Sequence, residues 1–344
     1  MKSKGISFGR LTAFPNGTLE TSRLQGVDRD LRIRPFFAQG KLFSMREFLV
    51  GAFDAEMGLE AFDPDLLAAS AGQTVTTPSG MVLSGSADTI GPPPARGLAE
   101  DPDGDGIKNE VPVSLVDHME FYLLNYFKPA SYQMTEAARD GLDVFAEVGC
   151  TSCHLPNLMV DRDRRVADVN TVYDPGRGIF NTLFATAVPR LLTMDDRTGL
   201  APLKLPSLQP FLVKNIFADF KRHDLGPNFH ERNFDGTLTR EFMTEPLWGV
   251  GSTAPYGHDG RSINLTEVIL RHGGEAQESR DRFADLSEDH RSDLISFLES
   301  LVLFPPDDTA STLNPGDPGA PGFPQKGHGS ISLTVLFNNP RDPE

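Results

Sequence analysis

The chain has only two cysteines in 344 residues, Cys150 and Cys153, and His154 follows the second directly. No other feature limits the fold as strongly. C-x-x-C-H is the spacing at which two thiols meet the two vinyl groups of a haem, while the adjacent histidine reaches the iron from the same side. A chain tethered in this way must fold around its cofactor. The flanking residues fit. The stretch from Thr135 to Val148 has helical periodicity with Leu142 and Phe145 on one face, Gly149 breaks it, and Pro156 follows the motif. Three other readings stand beside this one. A thioredoxin-like redox pair normally opens a helix after a strand, whereas here a helix comes first. A structural zinc site needs four ligands and a second short-spaced pair. A plain disulfide leaves His154 without a role.

Haem iron needs a sixth ligand or an open position, so the remaining histidines matter. His290 falls in the first turn of a polar helix and His328 in a Pro/Gly-rich tail, while His118 lies on a helix from Ser114 onward. His223, His230 and His258 belong to loops. His272 is different, because Leu265, Val268, Ile269 and His272 occupy one face of the helix "NLTEVILRHGG". A histidine ending an apolar stripe faces a greasy pocket, and His272 is the expected second ligand. The competing role is a core histidine held by a carbonyl, or a C-cap before Gly273 and Gly274.

The formal net charge is −16, from 48 acidic and 32 basic residues. Such a surface repels nucleic acid and anionic membranes. No apolar run reaches the length of a bilayer span, so no integral membrane segment is expected. The start "MKSKGISFGRLTAFP" lacks the apolar core of an export signal. That conflicts with haem attachment of this type, which is normally completed in the periplasm, so a periplasmic chain shortened at its N-terminus is the expectation.

Ahead of the motif, "LRIRPF" alternates like a strand, and Ser44 and Glu47 have capping-box spacing, with Phe43 and Phe48 placed to close a staple. The span from Ala69 to Gly97 reads as one long irregular loop. In "DPDGDGIKNE", Asp101, Asp103 and Asp105 alternate and Glu110 follows. Several oxygens in one short flexible loop suit Ca²⁺, although Glu110 comes too early for the twelfth EF-hand position. The competing reading is a solvated acidic turn. Beyond the haem region, "LSEDHRSDLISFLESLVLF" is a capped helix, Pro305 to Gly329 reads as a tail, and "ISLTVLF" as an edge strand.

The segments "GLDVFAEVGCTSCHLP", "DPDGDG", "FKRHDLGP", "EFMTEPLWGVGSTAPYGHDGRSINLTEVILRHGGEA" and "LISFLESL" together resemble the C-terminal part of a bacterial di-haem oxidoreductase, from the di-haem cytochrome c peroxidase superfamily. The resemblance covers most of the span from Gly5 to Phe304. It implies His272 opposite His154, hence a bis-histidine, low-spin haem of lower potential than a His/Met one. It also implies His258, Asp259 and Arg261 near the haem edge or its propionates, with Trp248 as an apolar wall or an aromatic relay. For "HDGR" a loop-locking hydrogen-bond network is the alternative. Relatives carry two C-x-x-C-H motifs and this chain carries one, so the partner is a second haem domain or a separate redox protein. Relatives often have methionine where Leu225 stands, which argues against ligation by that loop.

The fold expected is mainly α, a cytochrome c-like haem domain over 114–304. A small mixed region precedes it over 1–113, with the Ca loop at 101–110, and a tail follows over 305–344. The function expected is electron transfer by one covalent haem c, within a peroxidase-like oxidoreductase. A single-haem peroxidase with a displaceable ligand, and a haem-free binding module with a structural disulfide, are the alternatives.

Overall fold

In a computed structural model, residues 1–125, 128–132, 135–160, 172–173, 192–194, 203–205 and 210–304 are described. Among them are seven α-helices: α1 (Met45–Met57), α2 (Pro64–Ser70), α3 (Val113–Asn125), α4 (Glu136–Glu147), α5 (Leu265–Arg271), α6 (Gln277–Ala284) and α7 (Glu288–Glu299). The expectation of a mainly α chain is overturned. The connections between these short helices pair into several small sheets, most of two strands, and the fold is mixed α and β. The physical reason is local. A loop laid across a core must satisfy its backbone N–H and C=O groups, and pairing two or three residues with a distant segment does so.

The helix starts follow their side chains. Ser44 Oγ accepts from the Glu47 N–H at 3.1 Å while Glu47 Oε2 accepts from the Ser44 N–H at 3.3 Å, which completes the capping box of α1. Phe48 stacks on Phe36 and meets Phe37 at a tilt, and Arg34 lies over the Phe43 ring. Asp63 has two tasks. It caps α2 through the Leu66 N–H at 2.7 Å and receives Arg46 Nε on both carboxylate oxygens at 3.0 Å. Arg46 also reaches Glu120 Oε2 on α3 at 3.4 Å, so one buried cation ties three helices. Around it Val50, Phe53, Ala61, Leu66, Leu83, Val111 and Val116 form an N-terminal core.

A second core holds the cysteine motif. There α4 lies across α7, and Val144, Phe145, Val148, Phe217, Phe283, Leu294, Phe297 and Leu298 are buried together. The crossing depends on Gly141, where an added Cβ would lie 1.9 Å from the Asp293 carbonyl oxygen. Thr135 caps α4, and the chain leaves it through Gly149 at φ +93. After α7 the chain does not continue as helix. Leu301–Phe304 pairs antiparallel with Lys128–Tyr132.

Two local expectations fail. Leu31 to Phe36 forms no strand, only an isolated bridge from Phe36 to Leu42, and Leu31 stands at positive φ. The supposed irregular loop contains a hairpin, Thr74–Thr76 with Val82–Ser84, turned at Pro78 and Ser79. The tail from 305 and the strand "ISLTVLF" lie outside the described residues.

Candidate haem site

The motif forms one 3₁₀ turn, Cys150–Ser152, directly after α4. His154 N–H donates to the Cys150 carbonyl at 3.0 Å, which folds the histidine back over the turn. Both cysteines are free thiols. Burial, and then Cys153, push the Cys150 thiol up to about 12. A redox dithiol needs the reverse, a thiol lowered toward neutrality so that its thiolate can attack.

The ring of His154 is fixed from the other side of the site. Its Nδ1 lies 2.9 Å from the Phe217 carbonyl oxygen. An oxygen of that kind only accepts, so Nδ1 carries the proton and Nε2 keeps the lone pair. Nε2 has no hydrogen-bond partner among the described residues, and the residue is part-buried. Burial is the main cause that drives this imidazole's pKa down to about 4. Phe217 itself is 1% exposed at φ +50, a conformation uncommon for a bulky residue. It is braced by Phe145 and Phe297 at ring-centroid distances of 5.9 and 5.3 Å. Its neighbours are tied to the motif's exit: Ala218 N–H donates to Leu155 O at 3.1 Å and Ile216 N–H to Pro156 O at 2.9 Å.

His272 repeats the device. It is the C-cap of α5, as the competing reading proposed, and its Nδ1 lies 2.7 Å from the Val268 carbonyl oxygen. Its Nε2 is likewise without a hydrogen-bond partner among the described residues. Phe229 meets the ring edge-on at 5.2 Å, and burial lowers its pKa as well. His272 is close enough to His154 to lower the basicity of that ring.

Sequence reasoning missed the strut between them. His223 lies in the hairpin Arg222–Asp224 with Glu241–Met243, and only 5% of it is exposed. Its Nε2 meets Asp219 Oδ2 at 3.0 Å and its Nδ1 meets Glu275 Oε2 at 2.8 Å. Glu275 Oε1 also accepts the Asp224 N–H at 3.0 Å, and the Gly273 N–H donates to Leu225 O at 2.9 Å. The turn just after His272 is thereby clamped to the segment that supports His154. Cys153, Asp219 and His223 come together as a three-donor group. With carboxylates at both ring nitrogens, however, His223 is a cation, raised to about 10 although burial opposes it, and has no lone pair for a metal.

The remaining expected residues are spread out. His258 stacks on Phe242 at 3.7 Å. Arg261 points outward with its side chain 70% exposed, 3.4 Å from Asp259. Asp259 is held instead by Arg271 at 2.7 Å, which also donates to Ser262 Oγ and Asn228 O, so the "HDGR" turn is locked by a network. His230 binds Asp224 Oδ1 at 2.8 Å, and His290 is exposed. Trp248 packs against the cluster of Ile6, Phe8, Leu158, Val213, Ile216 and Ala218, and its Nε1–H is buried without an acceptor among the described residues. The donor set therefore fits a covalently held haem: two free thiols, two neutral imidazoles with Nε2 uncommitted, and a buried N–H able to serve a carboxylate. The side chain of His118 lies outside the described residues.

Residues 160–301 match the family model described as "Di-haem oxidoreductase, putative peroxidase". The C-terminal part of this chain thus resembles the di-haem oxidoreductases, and a haem-related oxidoreductase is the activity class that this supports. The matched range begins after Cys150, Cys153 and His154, so the haem motif and the di-haem oxidoreductase match are separate signals. It contains His223, Trp248, His258 and His272. No curated protein and no solved structure matches the chain. Among the described residues no helix is long and apolar enough to cross a membrane.

Proposed function

We propose that the chain carries one haem c attached through Cys150 and Cys153, with His154 and His272 as axial ligands. In this reading it transfers electrons within a di-haem peroxidase-like oxidoreductase. The observation that carries the proposal is the matched pair of imidazoles, each with Nδ1–H on a main-chain carbonyl and Nε2 uncommitted. A second-sphere acceptor on one ring nitrogen is the usual way to orient the other toward a metal.

Bound haem supplies a one-electron iron couple at this position. The chain's own residues supply the rest. Phe217 and Val268 carbonyls hold the ring orientations, and the Phe145, Phe217, Phe297 and Phe229 rings keep the surroundings apolar. Two fixed strong-field ligands leave no open position for peroxide, which favours electron transfer over cleavage of an O–O bond. The electron partner in this reading is a second haem domain or a separate redox protein, and the periplasm is the compartment where such attachment is completed. The acidic surface, at −16, suits a basic partner.

The test is spectroscopic. After export alongside haem-maturation machinery, the chain should retain haem on denaturing gels and give a low-spin spectrum unmoved by cyanide or peroxide. His272→Ala should convert it to a high-spin, cyanide-binding form. A spectrum unchanged by the substitution would remove His272 from the iron. A wild type that is already high-spin would assign the peroxidase reaction to this chain.

A further inference from the structure

The acidic loop was read from the sequence as a self-contained candidate of Asp101, Asp103, Asp105 and Glu110. The fold rearranges that set. Asp105 accepts the Ile107 N–H at 2.7 Å, Glu110 Oε2 accepts the Glu60 N–H at 2.8 Å, and neither joins the carboxylates that gather around Asp101 and Asp103. In their place Glu60, from the segment that links α1 to α2, brings a carboxylate oxygen within 4.8 Å of those of Asp101 and Asp103. That limit is what a shared Ca²⁺ imposes, because ligand oxygens each about 2.4 Å from one ion lie at most twice that distance apart.

An acidic cluster alone would mean little on a chain with 48 acidic residues. The decisive side chain is Glu60. It is 4% exposed, and its Oε2 is buried with no hydrogen-bond partner among the described residues. Burial, and then repulsion from Asp103, Asp101 and Glu110, raise its pKa, against a supporting backbone N–H at Asp103. A carboxylate shielded from water and faced by other acids is costly unless a cation joins it. The loop is shaped beforehand: Asp101 Oδ1 and Oδ2 accept from Gly104 and Gly106 N–H at 2.9 and 3.0 Å. The opposite wall is pinned as well, by Phe62 N–H on Asn109 Oδ1 at 3.1 Å and by Val111 N–H on Glu60 O at 3.3 Å.

We infer that Glu60, Asp101 and Asp103 form a Ca²⁺ site joining the 101–106 loop to the segment before α2. The remaining oxygens come from main-chain carbonyls and water, as Ca²⁺ coordination allows, whereas Mg²⁺ demands a tighter octahedron. The ion neutralises Glu60 and stabilises the N-terminal core, which the 60–62 segment enters through Ala61. The site is independent of the haem assignment.

The experiment is thermal unfolding of the full chain, with isothermal titration of CaCl₂ into EGTA-treated protein. The wild type should bind one Ca²⁺, and its Tm should rise with the logarithm of Ca²⁺ concentration. Glu60→Gln should abolish that rise and at the same time raise the Tm of the metal-free chain, because the repelled carboxylate is gone. Asp103→Asn should weaken binding at least tenfold. No heat of binding in the wild type would overturn the inference. So would an equal Tm rise from Mg²⁺ or from NaCl of matched ionic strength, which would be screening alone. Unaltered Ca²⁺ binding by Glu60→Gln would overturn Glu60 as a ligand.

Discussion

His154 and His272 owe their state to main-chain oxygens and not to charged neighbours. A carboxylate at Nδ1 would hold the ring as a cation, as it does for His223, whereas a carbonyl with burial leaves it neutral and aimed. Three histidines in one region therefore divide into two kinds by their partners alone. Tyr256 gives the site's surroundings a measurable pH response. Its hydroxyl donates to Val250 O at 2.9 Å, and burial, then Glu299, push its pKa up to about 12. The unfolded chain releases that proton near the ordinary value of about 10, so between the two values the folded state binds more protons. Stability must then fall as pH rises from 10 to 12, by at most about 3 kcal/mol. Tyr256→Phe should flatten this part of the alkaline stability profile in urea melts at pH 9 to 11. A profile as steep as the wild type's would mean that Tyr256 does not cause it.

At the scale of elements, the crossing of α4 and α7 is the frame on which the cysteine motif stands. Gly141 sits at the contact, and two effects of Gly141→Ala oppose each other. Alanine favours a helix interior by about 1 kcal/mol. Against this, the new Cβ would stand 1.9 Å from a backbone oxygen, which side-chain rotation cannot relieve. Overpacking of this kind costs about 1–3 kcal/mol or more, so the variant should be net destabilised in equilibrium urea unfolding, and a neutral result would mean the helices separate easily. The two helices of this crossing, and α5, were legible in advance because Thr135, Ser287 and Asn264 mark their starts and apolar residues recur along one face of each. The strands were not. Arg222–Asp224 pairs with Glu241–Met243 over three residues each, too short for alternation to appear. The strut from Asp219 through His223 to Glu275 and the recruitment of Glu60 join positions some fifty apart, and nothing local in the sequence encodes such a meeting. What could be read was the chemistry of single residues, the C-x-x-C-H turn and the apolar stripe ending at His272. The oxygens that orient both rings belong to the backbone, which residue identity does not announce.

Across the whole molecule, the first residues of the chain belong to the region of the cysteine motif rather than to the core nearest them in sequence. Ile6 and Phe8 are buried with Leu158, Val213, Ile216 and Ala218, next to Trp248 and Leu155. The same contact is reinforced in the polar layer. Asp28 accepts Arg222 Nη2 at 2.6 Å, the Arg222 N–H donates to Gly26 O at 3.0 Å, and the Met243 N–H donates to Ala38 O at 2.7 Å. The N-terminal segment thus backs the strand pair and the 216–218 turn that hold His154 through Phe217 O. A lesion there should be felt at the motif, across some 140 residues of sequence. Phe8→Ala removes a ring that is 8% exposed, and burial of this order makes its loss worth about 3 kcal/mol. Hydrogen exchange measured on the variant should show lost protection at the amides of Leu155, Ile216 and Ala218 as well as near residue 8, because Ile216 and Ala218 share the Phe8 cluster and Leu155 packs against it. Protection lost only within the first ten residues would mean that the N-terminal segment lies on the region of the cysteine motif without supporting it. Loss at both places would mean that the support of His154 begins at Phe8.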